Sequence, residues 1–538
     1  MKKSLREDEI KENIATTKFC QGNSLSSSQG KEALFTEDQH LCMENAHNHG
    51  DGLEEAMIQL REIAVKKTDD VNCMVNRSKH EEPLSPVACL NCDKLFDSYI
   101  LGIVGFKKEI DVQSLKISLQ NNLVEHQRFS SIVIKDRKSN LKWCLREVVI
   151  DDHVIVPSLS QSFIENPNFV NEYTACLVTA PPLNPCRPLW EVHVLNASSG
   201  NAAATLVFRI HHSLGDCVSM LSLILNSTTK TTHAKLPPTV IPHQTSSSQT
   251  ISTGLLKTVW IKITALWLTF LCLLHYGATL LWTQDRNPLR GGSRAAVSRK
   301  RLAHVTLSID DIFLVKKAVN GTLNDVIMGV LSAGFVRYLS KRQYGSNPRA
   351  EHVNVPLKTT VRATVAVNMR HSPMLKDLDN NMKNPSQSMW GNKFGFWLFP
   401  LPILYYEDPL QYCRITTVTS RLKKLSLEAS MTFAIAKYFP TKLVAYVSNK
   451  IAVNSTLGIS NVMGPVEEVQ YDDNPITHII PTTQVNYMSM VVHFISYAGE
   501  GKLITLVSEE VVPDPQQFCQ DCADALQLMK QAVHASAT

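Results

Sequence analysis

The sequence His211-His212-Ser213-Leu214-Gly215-Asp216-Cys217 joins a strand pattern to a helix pattern. Residues 204–210 place their large apolar side chains on one face, which predicts a strand, and an apolar helix is predicted from about Val218. A tight turn that holds two imidazoles at a strand end allows at least one of them to project into a cleft. Asp216 stands where the N-terminus of a helix favours a hydrogen-bond acceptor.

The chemistry of this stretch is that of a candidate general base. Near pH 7 a neutral histidine can take a proton from a hydroxyl or an amine. His211 and His212 are therefore candidate catalytic residues. For an isolated His-His pair, two hydrogen-bonded structural histidines beside an ordinary helix cap remain an open alternative, so other segments of the chain must decide.

Length and composition set the frame around this motif. A chain of 538 residues is too long for one ordinary core and predicts several units. With 44% hydrophobic and 19% charged residues, wholesale disorder is excluded. The net charge of +5 arises from 54 basic and 49 acidic residues, which is too balanced for a nucleic-acid footprint, and no nucleic-acid partner is expected.

Strand and helix patterns on both sides of the middle of the chain predict an α/β fold with two lobes. Five segments are expected. They are a mostly disordered extension (1–82), an N-terminal lobe (83–227), a Ser/Thr/Pro linker (228–253), an apolar membrane segment with a basic flank (254–301) and a C-terminal lobe (302–538).

The apolar segment Ile263–Trp282 has no formal charge over twenty residues, which is the length that crosses a bilayer as a helix. Trp260, Trp267 and Trp282 suit the membrane interface. A buried core helix is the alternative. The basic flank, expected near cytosolic anionic headgroups, consists of Arg286, Arg290, Arg294, Arg299, Lys300 and Arg301.

The thirteen cysteines are too few for a disulfide scaffold and indicate a reducing compartment. Two C-x-x-C pairs occur, Cys89/Cys92 and Cys519/Cys522, and a zinc site would need both pairs or added histidines. Cys522 falls on the apolar stripe of a predicted C-terminal helix. We therefore expect a core cysteine there and no metal.

Seven motifs in register make the chain resemble the plant-type bifunctional wax ester synthase/diacylglycerol acyltransferases, within the HHxxxDG acyltransferase superfamily. The resemblance covers roughly Leu84 to Ala535. Besides residues 211–217, the motifs are Pro83-Leu84-Ser85-Pro86, Pro188-Leu189-Trp190-Glu191, Asn324-Asp325-Val326, Val367-Asn368-Met369-Arg370, Gly391-Asn392-Lys393-Phe394-Gly395 with Pro400-Leu401-Pro402, and Ser460-Asn461-Val462-Met463-Gly464-Pro465.

The resemblance implies a two-lobed chloramphenicol-acetyltransferase-like fold and transfer of an acyl group from acyl-CoA to a long-chain alcohol or a diacylglycerol. It implies that His212 is the general base, that His211 supports it, and that Asp216 is structural and pairs with an arginine, for which we name Arg370. No cofactor is needed beyond acyl-CoA as co-substrate. The implied substrate-binding residues are Asn324, Asp325, Ser460, Asn461 and Arg370.

Two alternatives stay open at individual positions. Thr322 followed by Asp325 also resembles a helix cap, and Ser460 with Asn461 also suits a turn before Gly464-Pro465. The last motif residue, usually glycine, is Cys217. A cysteine would be strained if this position had a positive backbone φ, but it would fit an ordinary first helical turn. A catalytic thiol at this position is a further alternative.

His212 precedes the apolar segment and Asn324 follows it, so a single bilayer crossing would separate two halves of one site. We therefore expect the segment to lie in the cytosolic leaflet, with the enzyme at the endoplasmic reticulum membrane and its site facing the cytosol. The rival functions are a soluble acyltransferase for phenolic or alkaloid acceptors and an inactive lipid-binding relative. The oligomeric state does not follow from these residues.

Overall fold

A computed structural model describes residues 81–231, 238–239, 255–292, 295, 298–344, 359–370 and 390–537. All of them belong to one of the two units into which the chain divides, Asp51–Thr538. The predicted extension up to residue 80 and most of the predicted linker lie outside the described residues.

The first part of the chain, up to residue 230, alternates strands with helices, as the sequence patterns predict. In chain order the elements are β1 (Glu81–Pro83), α1 (Pro86–Asn91), β2 (Ser98–Phe106), α2 (Val112–Asn122), β3 (Ser131–Lys135), β4 (Leu141–Leu145), a 3-10 turn (Ile150–Asp152), β5 (Val154–Ile155), α3 (Gln161–Ile164), α4 (Phe169–Thr179), β6 (Trp190–Leu195), β7 (Ala204–His211), α5 (Cys217–Asn226) and β8 (Thr229–Lys230).

The second part begins with a long apolar helix and continues as a second α/β layer. Its elements are α6 (Leu255–Leu281), β9 (Lys300–Ser308), α7 (Ile309–Ala318), α8 (Leu323–Tyr344), β10 (Val361–Asn368), β11 (Phe394–Leu401), α9 (Leu410–Leu425), α10 (Glu428–Tyr438), α11 (Thr441–Asn454), β12 (Leu457–Met463), β13 (Val469–Tyr471), β14 (Asn474–Val485), β15 (Met490–Tyr497), β16 (Glu500–Ser508) and α12 (Pro515–Ala537).

Two large sheets organise the two lobes. The first has the strand order β5-β6-β7-β2-β14-β13-β8 and the second β11-β10-β12-β15-β16-β9. Strand β14 comes from the late part of the chain, yet it pairs antiparallel with β2, from Ile476 opposite Phe106 to Val485 opposite Ser98. The lobes and the halves of the chain therefore do not coincide, because β13 and β14 complete the first sheet.

Two apolar clusters form the core. One lies within the second lobe, and the other covers the first sheet and also includes second-sheet residues such as Leu302, Ile495 and Ile504. The predicted C-terminal helix is confirmed as α12, and its side chains Phe518, Cys522, Ala525 and Met529 are at most 1% exposed. Cys522 is therefore a core residue. Among the described cysteines nine are free, and Cys186 is disulfide-bonded.

A β-hairpin near the end of the chain precedes α12. Strands β15 and β16 pair antiparallel, with Tyr497 opposite Glu500. The two residues between them, Ala498 and Gly499, have φ values of 48° and 81°, the left-handed geometry that closes a two-residue turn between twisted strands.

Helix α6 contains the predicted apolar segment as far as Leu281, and it is not a core helix. An apolar window within its stretch Lys257–Leu281 has a mean hydropathy of 1.6, and only 6% of that window is buried, so the alternative of a buried core helix is wrong. One side packs on the second lobe: the Tyr276 hydroxyl donates to the Phe396 carbonyl at 3.1 Å, and the Thr269 hydroxyl accepts from the Leu427 amide at 2.9 Å. The other side is an exposed apolar face.

The predicted basic flank does not form a free surface beside this helix. Arg299 and Arg301 pair with Glu509, and Lys300 is buried, where it donates to the carbonyls of Ala295 and Met488. Burial lowers the pKa of Lys300 to about 7.

The strand order of the second sheet explains why residues 299–301 lie far from α6. Residues 299–301 precede and begin β9, which lies four strands away from β10, and at about 4.8 Å per strand this is roughly 19 Å. Helix α6 contacts β10 and β11 instead, through Thr279 and Tyr276. Arg290 donates to the Val453 carbonyl, Arg286 is exposed, and Arg294 lies outside the described residues.

Candidate active site

The histidine motif lies where β7 ends and α5 begins. Strand β7 continues to His211, and Asp216 is the N-cap of α5, with its carboxylate accepting from the Ser219 amide at 2.9 Å. Consecutive residues leaving a strand point to opposite sides. His211 and His212 accordingly enter different environments.

His212 is held by Asn392, which belongs to one of the seven sequence motifs but is not among the predicted site residues. The His212 Nδ1 and the Asn392 Oδ1 are 3.0 Å apart, and the Asn392 amide nitrogen donates to the His212 main-chain carbonyl at 2.8 Å. Because the amide nitrogen is committed to the carbonyl, the amide oxygen must accept from Nδ1–H. The lone pair of the ring is therefore on Nε2, the atom that a general base needs.

The surroundings of His212 favour the neutral imidazole. Burial lowers its pKa below the ordinary 6.5, against an opposing contribution from Asp216. The Phe394 ring packs edge-on at 5.8 Å between centroids. His212 is thus unprotonated at neutral pH while it remains one of the cavity-lining residues.

His211 is bound on the other side of the strand. Its Nε2 lies 2.8 Å from the Asp97 carboxylate and its Nδ1 lies 2.6 Å from the Ser213 hydroxyl. Its ring also contacts Tyr99 edge-on. These contacts fix the turn that carries His212, and His211 is not among the cavity-lining residues in the described part of the chain.

Asp216 and Arg370 form a buried, bidentate ion pair across the two lobes. The guanidinium nitrogens lie 2.7 and 3.0 Å from the two carboxylate oxygens, and the side chains are 7% and 1% exposed. The Lys393 amide donates to the same carboxylate at 3.0 Å, and Arg370 also donates to the Gly391 carbonyl at 2.6 Å. The pair links the histidine turn to the segment that holds Asn392.

Asn324 and Asp325, the predicted Asn-Asp pair, make different contacts. Asp325 accepts from the Thr322 amide at 2.7 Å in the first turn of α8, which is the capping arrangement. Asn324 accepts instead from the side chain of Asn461. Of these residues, only Asn461 lines the cavity in the described part of the chain.

The backbone at Cys217, where the motif usually has glycine, accommodates a side chain. It is the first residue of α5 and is not among the described non-glycine residues with positive φ. Its thiol lies 3.9 Å from the Thr483 hydroxyl, and burial, followed by Asp216, raises the pKa of the thiol to about 12. A thiolate at this position is strongly disfavoured, which argues against a catalytic cysteine.

His493 is a further buried histidine at the site, on β15, for which the sequence carried no signal. Its Nε2 lies 3.1 Å from the Thr483 hydroxyl, and its Nδ1 has no hydrogen-bond partner among the described residues. Burial, followed by His212, lowers its pKa to about 3. It is therefore a neutral polar group at the edge of the cavity.

A cavity of about 460 Å³ lies between the lobes. Its polar end contains His212, Asp216, Arg370, Ser460 and Asn461 from the predicted set. Its body is apolar and is formed mainly by α6, β10, β12, α10 and α11, with α1 and the end of β14 also contributing. Such a cavity suits a long apolar ligand with one reactive polar group.

Known proteins resemble this chain in sequence and in fold. The model of the wax ester synthase/diacylglycerol acyltransferase catalytic domain matches residues 170–327, and that of the WS/DGAT C-terminal domain matches residues 390–530. Wax ester synthase/diacylglycerol acyltransferase 5 of Arabidopsis thaliana is 34% identical over 502 residues, which cover 88% of this chain and 97% of the relative. Acyltransferase 4 of the same family and plant is 34% identical over 481 residues, covering 85% and 91%.

Among solved structures, the wax ester synthase/diacylglycerol acyltransferase from Marinobacter aquaeolei VT8 superposes with a TM-score of 0.55 at 16% identity, covering 84% of this chain and all of that one. This likeness supports the two-lobed acyltransferase fold. The plant relatives and the two matching domain models establish that the chain belongs to the wax ester synthase/diacylglycerol acyltransferase family.

Proposed function

We propose that this enzyme moves a fatty acyl group from acyl-CoA to the hydroxyl of a lipid, a long-chain alcohol, a diacylglycerol or both, with His212 as the general base. The observation that carries the proposal is the Asn392–His212 contact at 3.0 Å, which leaves Nε2 as the basic atom at the polar end of an apolar cavity.

In the proposed reaction, His212 Nε2 takes the proton of the acceptor hydroxyl as the oxygen attacks the thioester carbonyl. The tetrahedral intermediate collapses, the carbon–sulfur bond breaks, and the imidazolium returns the proton to the CoA thiolate. General-base assistance of this kind contributes about 10²–10⁴-fold, or roughly 3–5 kcal/mol. No acyl-enzyme and no resident cofactor enters these steps.

Other residues of the site position the base. Asn392 fixes its tautomer, and the Asp216–Arg370 pair anchors the turn against the second lobe. Ser460 and Asn461 face the same cavity, where they are placed to contact the acceptor or the thioester, and Asn324 holds Asn461 from behind. The apolar body excludes water, which would otherwise compete with the acceptor for the acyl group.

We further propose that the enzyme acts at the endoplasmic reticulum membrane from the cytosolic side, with α6 in the cytosolic leaflet. Asp216 precedes α6 in the chain and Arg370 follows it, yet the two side chains are bonded. A helix that simply crossed the bilayer would separate them. Tags at both ends of the chain should therefore both be open to protease in sealed microsomes, and protection of one end would refute this topology.

The experiment that tests the chemistry supplies membranes containing the full chain with radiolabelled acyl-CoA and either a fatty alcohol or a diacylglycerol. Neutral lipid should form with the wild type and not with His212→Ala, while the exposed-histidine variant His534→Ala keeps full activity. A wild type that is inert on both acceptors but binds them favours the inactive lipid-binding alternative. Activity on phenolic or alkaloid acceptors alone favours the soluble type.

A further inference from the structure

The exposed apolar side chains of this protein are concentrated on α6 and the three helices that pack near it, α9, α10 and α11. In the described part of the chain, 20 of the 28 exposed large hydrophobic side chains lie on or directly beside these helices. Scattered exposed hydrophobic residues are ordinary, but a concentration of this size marks an interaction surface. We define the apolar platform as Trp260, Trp267, Phe270, Leu274, Tyr438, Phe439, Leu443 and Tyr446, each 49–73% exposed.

The charge on the same helices is strongly one-sided. The segments Leu255–Leu281 and Leu410–Asn454 contain nine lysines and arginines and a single acidic residue, Glu428. That carboxylate is buried and pairs with Lys423 at 2.7 Å. Since the whole chain carries a net charge of only +5, this part of the surface is far more basic than the rest.

The exposed lysines sit beside the apolar platform. Lys257 and Lys262 are exposed on α6, and Lys437, Lys442 and Lys450 are exposed on or next to α10 and α11. Helices that combine exposed aromatic and leucine side chains with lysines bind the interface of anionic bilayers. The basic surface therefore accompanies these helices, whereas the flank predicted from the sequence, residues 286–301, is largely engaged in contacts within the protein.

The cavity reaches this surface. Leu273, Phe439 and Leu443 line the cavity, and the same side chains are 37%, 56% and 51% exposed. They mark an opening between α6 and the junction of α10 with α11. The passage thus runs from the apolar platform to His212 at the polar end.

We infer that the apolar platform seats on an anionic bilayer leaflet, and that the opening among Leu273, Phe439 and Leu443 is the portal through which a lipid alcohol enters laterally from the membrane. The role of the portal rests on the proposed function, because it assumes that a lipid alcohol is the acceptor. The binding of the apolar platform to the bilayer does not depend on catalysis. In this arrangement the acceptor moves from lipid to the apolar cavity without its chain crossing water.

The seating is tested with the environment-sensitive fluorophore NBD on Tyr446→Cys in the full chain. Tyr446 is 58% exposed on the platform and does not line the cavity, and the matched control is Ile117→Cys, 63% exposed on α2 of the first lobe. Vesicles of phosphatidylcholine with phosphatidylserine should increase and blue-shift the fluorescence at position 446 and leave that at 117 unchanged. Equal responses at both positions would overturn the seating.

The charge requirement is tested by vesicle sedimentation. Replacing Lys437, Lys442 and Lys450 together by glutamine should weaken binding to anionic vesicles about a hundredfold, since roughly 1 kcal/mol per lysine corresponds to about fivefold each. Binding to pure phosphatidylcholine should hardly change. Equal loss on both kinds of vesicle would show that the lysines act on folding instead, and no loss on either would refute an anionic leaflet as the partner.

The portal is tested by uptake of a pyrene-labelled long-chain alcohol from the same vesicles, which needs no turnover. Leu443→Glu should slow uptake at least tenfold while NBD at position 446 still reports seating, and Ile117→Glu should leave uptake unchanged. Unaltered uptake in Leu443→Glu would refute the portal. Uptake and seating are both measured without acyl transfer. A wild type without transferase activity would therefore count against the proposed function but would not affect the conclusions on seating and on the portal.

Discussion

The side chain of Asn392 holds His212 by two atoms, accepting from Nδ1 at 3.0 Å and donating to the main-chain carbonyl at 2.8 Å. The bonded pair lies across the boundary between the lobes, since His212 follows β7 and Asn392 precedes β11. The base is therefore oriented by the lobe to which it does not belong.

Asn392→Ala should lower kcat by about 10–100-fold, because the imidazole loses the acceptor that fixes its reactive tautomer. The KM for acyl-CoA should change little. Steady-state kinetics on membranes check this, with circular dichroism to establish that the variant is folded. A wild-type kcat in the folded variant would show that the contact does not orient the base.

The pH dependence of the reaction should report the buried position of His212. Burial lowers its pKa below 6.5, so the neutral base persists in weakly acidic solution and the acid limb of kcat/KM should lie below pH 6.5. In Asn392→Asp a carboxylate replaces the amide, stabilises the imidazolium and raises this pKa, so the limb should move to higher pH. A limb that stays in place or moves to lower pH would contradict the assignment of the base.

Breaking the Asp216–Arg370 pair should destabilise the protein more than it alters the chemistry. Removing one partner leaves a buried charge without its counter-ion, which costs about 3–5 kcal/mol. Urea unfolding of Arg370→Gln, Asp216→Asn and the double variant should show that the two losses are far from additive. The matched control is Arg414→Gln, which breaks the exposed pair with Asp408 and should cost at most about 1 kcal/mol.

His493 should make the protein less stable in weak acid. Its folded-state pKa of about 3 lies below the ordinary 6.5, so between these values the unfolded chain binds a proton that the folded chain does not. Stability is therefore lost as the pH falls through 6.5, with a slope of up to about 1.4 kcal/mol per pH unit. His493→Leu should reduce that slope between pH 7 and 5, whereas the exposed control His534→Leu should not.

Cys217→Gly, which restores the usual motif residue, should not improve the enzyme. Cys217 begins a helix with ordinary backbone geometry, so glycine relieves no strain and costs up to about 1 kcal/mol of stability. Activity should stay within about threefold of the wild type. A large gain in kcat would mean that the thiol obstructs the substrate path.

The sequence predicted those features that depend on local order. Short stretches of sequence indicate three such features. They are the strand before His212, the helix cap at Asp216 and the buried face of α12. The Asp216–Arg370 pair, implied by family resemblance, is present in the structure. Asn392 could not be assigned from spacing alone, because its partner lies 180 residues away and the contact exists only after the lobes have packed.

The basic residues at the start of β9 do not lie beside α6, for a similar reason. Residues 299–301 follow α6 closely in sequence, but the chain carries them to the far edge of the second sheet. Helices α10 and α11, which carry exposed lysines, lie far from α6 in sequence and contact it in space. Distance along a chain is a poor guide to distance across a sheet.

The crossing of β14 into the first sheet has a consequence for biosynthesis. Until the ribosome has made residues 474–485, β2 has no neighbour on one side, and a strand with free backbone groups readily pairs with another chain. The edge of β2 therefore stays unpaired until almost the entire chain has emerged from the ribosome. We expect the supply of chaperones, and not the speed of translation, to govern the yield of active enzyme.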